Sequence, residues 1–213
     1  MRPRQKQLLY AGLTAILILI WIFYSADDLQ TTAVLAGTVR AATLLALGAM
    51  CGMIGERSGV VNIGIEGQFL MSAFAAFTIA SMTGSLFMGT LAGVGMGLIM
   101  GWLLAAMAVG LKVDQIIAGT VLNISALGLT SFFYDRSRSL GIGKYTNIDL
   151  GPLAELPLVG TVLFSRPPLT YLTMVLLVVV HIALFRSVWG MRTRAIGEHP
   201  GAADTVGIDV LKL

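Results

Sequence analysis

The feature that most constrains this chain is a series of long apolar runs that carry almost no charge. A helix needs about 20 apolar residues to cross the hydrocarbon core of a bilayer. Six segments have that length or nearly so, at residues 8–24, 34–54, 66–82, 86–111, 115–134 and 169–186. Of the 213 residues 56% are hydrophobic and only 12% are charged, whereas an average soluble domain is about 25% charged. We therefore predict an all-α, polytopic transmembrane bundle that forms one domain over residues 1–213.

The basic residues lie between the apolar runs, where they set membrane orientation. No small-x-small cleavage pattern follows the first run, so we predict an uncleaved first span rather than a signal peptide. With the N-terminus in the cytoplasm, the inner side holds Arg2, Arg4, Lys6, Arg57, Lys112, Arg186, Arg192 and Arg194, and the outer side holds Arg136, Arg138, Lys144 and Arg166. This orientation predicts an extracytoplasmic loop at 135–168 and a cytoplasmic segment at 187–208.

One polar segment, residues 58–67, interrupts the apolar pattern with three glycines and Asn62. Glycine tolerates non-helical backbone, and unwound backbone at membrane depth must be surrounded by protein or line a wet cavity. The free N–H and C=O groups of such a broken helix could contact a polar solute. A plain turn between two spans explains the same residues, and the spacing does not decide between them.

Two further patterns concern the fourth and fifth runs. Small residues on one helix face let two helices approach closely, and four-residue spacing places residues on one face. The fourth run has such a series, which we interpret as a packing seam: Gly89, Gly93, Gly97 and Gly101. Asn123 and Ser125 in the fifth run, with Gln115 at its start, could line a cavity or bond helices together, and the second role is the more common one.

The segment 187–208 differs in kind from the apolar runs. Pro200, Ala203 and Asp204 suit a short helix with proline in its first turn, and Glu198 adds an acid near its N-terminus. A short amphipathic helix could dock into a groove of a soluble partner. The residues alone favour an ordinary cytoplasmic loop with a helical turn.

Two sequence runs in these regions carry a family resemblance. GVVNIGIEGQFLMSAFAAF (59–77) and GMRTRAIGEHPGAADTVGI (190–208) resemble the permease subunits of ribose-type and branched-chain amino-acid ABC importers. NIGIEG and KVDQIIAGTVLNISALGLTSFFY (112–134) are most similar to the nucleoside and simple-sugar permeases. The resemblance covers the chain from about Thr32 onward. Chains of that family continue through further spans, so we expect this one to be C-terminally shortened.

The resemblance implies partners and residue roles. It implies a second permease subunit, identical or different, two cytoplasmic ATPase subunits that hold ATP and Mg²⁺, and an extracytoplasmic solute-binding protein. It places Asn62, Glu66 and Gln68 beside the translocation path, where Asn123 is a further candidate. It also implies that six residues contact the ATPase: Arg194, Gly197, Glu198, Pro200, Ala203 and Asp204.

We therefore expect a permease in the bacterial inner membrane that moves a nucleoside, a simple sugar or, third, a branched-chain amino acid. It would hold no cofactor of its own and bind lipid but no nucleic acid. A self-sufficient secondary carrier or channel is the alternative. It would need ion-coupling acids within the spans, and Glu66 is the one candidate. An enzyme is disfavoured, since Cys51, His181 and His199 lack metal-ligand spacing and no nucleophile–base pair or phosphate-cradling motif occurs.

Overall fold

The computed structural model of this chain describes residues 3–134, 141 and 143–210. The predicted charges Arg2, Arg136 and Arg138 lie outside these residues. Within them the α-helices are α1 (Pro3–Ala26), α2 (Asp28–Arg57), α3 (Ile65–Thr83), α4 (Leu86–Ala105), α5 (Gln115–Phe133), α6 (Pro168–Arg186), α7 (Val188–Glu198) and α8 (Pro200–Thr205).

Five helices in the described part of the chain are long and apolar enough to cross a membrane: α2, α3, α5, α6 and α4 with the π-helical turn that extends it to Gly110. Large apolar side chains are exposed along them, among them Leu98 (71%) and Phe132 (81%). Such a surface is expected of helices that face lipid. The prediction of a polytopic helical bundle is thus confirmed. The first predicted span remains a prediction, because the described apolar part of α1, Thr14–Ala26, is shorter than a span.

Short turns join α3, α4 and α5, because capping residues fix where each helix ends. Gly84 ends α3 in the left-handed conformation at φ 68°, and its N–H donates to the Ala80 carbonyl. Ser85 caps α4 by accepting the Met88 N–H at 3.4 Å. Asp114 caps α5 by accepting the N–H groups of Ile116 and Ile117. The side chains of Ser85 and Asp114 thereby satisfy N–H groups that lack partners inside the helix.

The chain divides into two compact units. Unit 1 contains Met1–Leu45 and Thr146–Thr173, and unit 2 contains Ala46–Tyr145 and Met174–Leu213. In unit 1 the connection before α6 forms two short antiparallel strands, β1 (Ile148–Asp149) and β2 (Ser165–Arg166), with Ile148 opposite Arg166. A 3₁₀ turn (Gly151–Glu155) and a π-helical turn (Gly160–Phe164) lie between them.

The core of unit 2 lies where α5 packs against α4. Small alanines on α5 allow the approach, and Ala118 and Ala126 are 0% and 1% exposed. They form one cluster with Leu122 of α5 and with Met100 and Leu104 of α4. Interhelical packing in a membrane depends on such close van der Waals contact, because lipid removes the hydrophobic drive between helices.

Three of the four seam glycines of α4 face α3. A methyl group at Gly89 would lie 2.7 Å from the Ala76 oxygen, and one at Gly93 would lie 3.1 Å from Ala76 Cβ. At Gly97 the nearest atom is Ser72 Oγ at 3.2 Å.

The predicted fourth member, Gly101, has no such neighbour within 4 Å. Each four-residue step advances about 40° beyond a full turn of helix. The series therefore rotates away from α3 along α4, and the seam ends before Gly101.

A leucine at Gly93 should force α4 away from α3. We expect Gly93→Leu to lower the free energy of unfolding by about 1–3 kcal/mol, as overpacked helix contacts do. Gly95→Leu is the matched control, because nothing lies within 4 Å of that position on the same helix. Thermal unfolding of the purified protein in detergent measures both. Equal stability of the two variants would show that the seam does not hold α3 and α4 together.

Candidate functional site

The segment of residues 58–64, which joins α2 to α3, is the non-helical backbone on which the candidate site is built. It starts where α2 ends in a Schellman motif. The Val60 N–H donates to the Gly55 carbonyl at 2.9 Å and the Gly59 N–H to the Glu56 carbonyl at 3.2 Å. Gly59 has φ 86°, a left-handed conformation that glycine adopts without strain. The sequence therefore specifies a sharp exit from the helix.

One side chain of α5, Gln115, holds the middle of segment 58–64. Its Oε1 accepts the Val61 N–H at 2.7 Å, and its Nε2 donates to the Gly59 carbonyl at 3.3 Å. A single amide thereby satisfies a donor and an acceptor that unwound backbone would otherwise leave unpaired. The sequence had marked Gln115 only as a side chain that could line a cavity or bond helices, without naming its partner.

A second amide of α5, Asn123, holds the end of the segment and caps α3 from another helix. The N-cap position of α3 is Gly64, which has no side chain to cap with. Asn123 Oδ1 accepts the Gly67 N–H at 2.7 Å, and its Nδ2 donates to the Ile63 carbonyl at 3.0 Å. Both polar groups of Asn123 are therefore engaged with neighbouring backbone.

Glycines allow α5 to approach this closely. A methyl group at Gly119 would lie 2.8 Å from the Gly64 nitrogen, and one at Gly67 would lie 2.8 Å from Asn123 Cα. Gln115, Gly119 and Asn123 are four residues apart and share one face of α5. That spacing was the signal in the sequence for a polar face turned toward segment 58–64.

Two predicted path residues, Asn62 and Gln68, meet in a third amide contact. Asn62 Nδ2 donates to Gln68 Oε1 at 3.1 Å and lies 3.6 Å from Cys51 Sγ. Gln68 is 9% exposed. Glu66, predicted beside them, is instead an exposed residue in the first turn of α3. Neutral donors and acceptors therefore dominate the contacts around segment 58–64.

The helix α7 follows α6 after a tight turn. Ser187 caps it by accepting the Gly190 N–H at 3.0 Å. A methyl group at Gly190 would overlap the carbonyls of Ala183 and Leu184, so only glycine fits where α7 folds back onto the end of α6. The end of α6 and all of α7 belong to unit 2, as does segment 58–64.

Near its C-terminus α7 touches segment 58–64 directly. A methyl group at Gly197 would overlap the Arg57 carbonyl oxygen and lie 2.9 Å from the Gly59 nitrogen. In the other direction, one at Gly59 would lie 3.2 Å from Gly197 Cα. The two backbones meet with no side chain between them. A shift of α7 would therefore displace segment 58–64 directly, because no flexible side chain lies between them to rearrange.

The ring of Phe185, near the end of α6, contacts both the end of α2 and α7. The guanidinium carbons of Arg57 and Arg194 lie 5.8 Å and 5.3 Å from the ring centre of Phe185. Each contact is of the cation–π type, worth about 0.5–1 kcal/mol at exposed sites. Arg194 also donates from Nε to the Gly190 carbonyl at 3.3 Å. The ends of α2 and α6 are thereby tied to α7.

The six residues that the resemblance assigned to ATPase contact fall into two groups. Glu198, Pro200 and Asp204 are exposed. The other three pack inward: Arg194 lies on Phe185, Gly197 lies against the end of α2, and Ala203 is 4% exposed.

The prediction for the start of the short helix was wrong in one detail. Glu198 ends α7 rather than supplying an acid to the N-terminus of α8. His199 caps α8 instead, with its Nδ1 accepting the Ala202 N–H at 3.1 Å. Pro200 is in the first turn of α8, as expected.

A comparison with protein families identifies the chain's relationship. The family described as the branched-chain amino acid transport system permease component matches residues 34–213. The chain belongs to this family. The matched range contains segment 58–64, α5, α7 and α8. The members are membrane transport permeases rather than enzymes. No metal-binding group of three or more His, Cys, Asp or Glu occurs in the described part of the chain.

Individual relatives agree with the family assignment. A Haloferax volcanii protein provisionally named a glucose ABC transporter permease is 36% identical over 182 residues, which are 84% of this chain and 55% of the relative. The nucleoside ABC transporter permease NupC of Lactococcus lactis is 35% identical over 173 residues, 75% of this chain and 54% of the relative. The guanosine ABC transporter permease NupQ of Bacillus subtilis is 32% identical over 192 residues, which are 84% of this chain and 60% of the relative. The chain thus spans about half to three fifths of these relatives. No solved structure matches it.

Removing the Asn123 amide should loosen segment 58–64. We expect Asn123→Ala to lower the free energy of unfolding by about 1–2 kcal/mol, because it leaves the Gly67 N–H and the Ile63 carbonyl without partners. Thr120→Ala is the control, since Thr120 is exposed on the same helix and its hydroxyl donates to the Ile116 carbonyl of that helix. Thermal unfolding and amide hydrogen exchange at the start of α3 report the difference. Equal behaviour of the two variants would contradict the cap.

Proposed function

We propose that this chain is a membrane-spanning permease subunit of an ATP-binding cassette importer for a neutral polar solute, a nucleoside or a simple sugar. The observation that carries the proposal is the direct backbone contact between Gly197 of α7 and Gly59 of segment 58–64. It connects the segment proposed to meet the ATPase with the segment proposed to border the solute path. Membership of a transport permease family supports the same reading.

The chemistry around segment 58–64 favours an uncharged solute. Asn62 and Gln68 place neutral amide groups at the segment, while the Asn123 amide is taken up by the backbone it holds. Amino acids are zwitterions that need charged or strongly dipolar partners, whereas nucleosides and sugars present hydroxyl and ring groups that amides can bond. The names of the relatives refer to glucose, nucleosides and guanosine, which supports both solute classes and does not separate them.

The exposed residues at the junction of α7 and α8 are the proposed ATPase contact. Glu198, Pro200 and Asp204 present a short turn of the kind that can enter a groove on a soluble partner. The complex would contain a second permease subunit, identical or different, and two ATPase subunits that bind ATP and Mg²⁺. An extracytoplasmic protein would deliver the solute. This arrangement requires a cytoplasmic α7 and, with the predicted spans, a cytoplasmic N-terminus in a bacterial inner membrane.

Transport would then follow from a rigid connection. Closure of the ATPases would move α7. Arg194 of α7 and Arg57 at the end of α2 both contact Phe185 near the end of α6, so these helix ends would move with it. The movement would reach segment 58–64 through Gly197 and Gly59. The solute must bind differently in the two resulting states, since a ligand with equal affinity for both cannot be driven by the change.

Reversing the charge of the exposed turn should weaken the ATPase contact. We expect the Glu198→Lys and Asp204→Lys variants of the complete transporter to reach the membrane normally and to lose at least tenfold in ATP-driven solute uptake. Lys144→Glu is the control, because it reverses an exposed charge in the connection between α5 and β1.

Uptake in reconstituted vesicles and co-purification of the ATPase measure the outcome. Uptake that proceeds without any ATPase subunit, driven by an ion gradient, would instead favour a self-sufficient carrier.

Adding a methyl group at the backbone contact should separate ATP hydrolysis from transport. We expect Gly197→Ala to displace α7, to keep ATPase binding and to lower the solute moved per ATP several-fold. Gly201→Ala is the matched control, because the nearest atom to its added methyl group is the ring of His199 at 3.7 Å. Parallel assays of hydrolysis and uptake give the ratio. An unchanged ratio in Gly197→Ala would remove the contact from the coupling route.

A further inference from the structure

An open cavity of about 570 Å³ is lined by residues of unit 1. It is lined by the end of α1, the first half of α2 and the connection between β1 and β2. Its volume falls within the range of about 300–1,000 Å³ that small-molecule sites occupy. The charged residues that line it are Asp28, Arg40, Glu155 and Arg166.

The buried member of this group is Arg166, which is 7% exposed. Three of its N–H groups donate to backbone carbonyls: Nε to Val162 at 2.6 Å, one terminal nitrogen to Thr161 at 2.9 Å and the other to Ala36 at 3.3 Å. These bonds fix the plane of the guanidinium. They use three of its five N–H donors and bring no negative charge to it, and a buried cation is costly without one.

The charge that acts most directly on Arg166 is of the same sign. Burial and the positive charge of Arg40 lower the pKa of Arg166, and Tyr171 acts in the opposite direction. Two cations therefore share one cavity, and within the described residues the bonds of the buried Arg166 go to carbonyls rather than to a carboxylate.

The position of Arg40 adds an independent argument. It is twelve residues into the spanning helix α2, about 18 Å along the helix axis. An ionisable residue within a membrane span is costly and is therefore a functional candidate by default. Arg40 is exposed to the cavity it lines, so a ligand can reach it.

We propose that this cavity binds an oxyanion, a carboxylate or phosphate group, between Arg40 and Arg166. The planar guanidinium donates two parallel N–H bonds that match both groups. Thr32 and Ser165 supply further hydroxyl groups at the cavity wall. The ligand is a small molecule that carries such a group or the phosphate of a lipid headgroup. Nucleosides and simple sugars carry neither, so this site is distinct from the solute path proposed above and does not depend on it.

Inorganic phosphate is the first probe, titrated against the complete protein in a maltoside detergent at constant ionic strength. We expect a saturable rise in the unfolding temperature that sodium chloride does not produce, because a ligand of the native state stabilises it by mass action. Arg40→Gln should raise the apparent dissociation constant at least tenfold, Arg40→Lys should give an intermediate value, and Lys144→Gln should match the unaltered protein. A second titration uses phosphatidylglycerol, with phosphatidylcholine as its reference.

The outcomes separate the two sources of the oxyanion. A response to phosphate that depends on Arg40 supports a dissolved ligand, and one to phosphatidylglycerol alone that depends on Arg40 supports a lipid headgroup. No response to either, or a response that Arg40→Gln leaves intact, overturns the proposal.

A measurement on the unaltered protein covers the case in which Arg40→Gln does not fold. Whichever oxyanion stabilises the protein, phosphate or phosphatidylglycerol, should slow the modification of Arg40 by phenylglyoxal. The same oxyanion should slow the modification of Arg192, an exposed residue of α7, by a smaller factor. Mass spectrometry of the peptides measures both rates, and equal slowing of the two arginines overturns the site.

Discussion

Backbone polar groups that leave the helical pattern inside a protein need other hydrogen-bond partners, and segment 58–64 depends on this requirement. Two amides of α5 meet it. Gln115 bonds the middle of the segment, and Asn123 bonds its end and caps α3. Because these partners come from one rigid helix, the non-helical backbone has a defined shape. Neutral amide groups therefore surround a segment whose backbone is fixed by hydrogen bonds.

Close backbone contact is the second requirement, and glycine is the residue that allows it. Gly67 and Gly119 let α5 approach so closely that its two amides reach α3 and segment 58–64. Gly59 and Gly197 bring α7 onto the same segment without intervening side chains. Packed helices transmit displacement because their interiors resist compression. The same residues that permit the fold thus form a continuous contact from the exposed turn at α7–α8 to the amides beside segment 58–64.

The candidate site could be predicted from the sequence only in part. Asn62, Gln68 and Asn123 were predicted as path residues, and the structure brings all three to segment 58–64, whereas Glu66 lies exposed at the start of α3. Gln115 was predicted only to line a cavity or bond helices, because its specific role depends on which backbone lies opposite it. The pairs it forms are separated by 54 and 56 residues in the chain. No local pattern specifies such a pairing.

The sequence by itself determined the five spanning helices α2 to α6 and the caps at their ends. Hydrocarbon thickness sets the length of an apolar helix, and local caps such as Gly84, Ser85 and Asp114 act on groups within a few residues. Only the tertiary structure decided that the glycine seam ends before Gly101 and that Gly197 faces inward. It alone placed Arg40 and Arg166 on one cavity. These outcomes depend on where one helix crosses another, and helix crossings are fixed by packing over the whole unit rather than by local sequence.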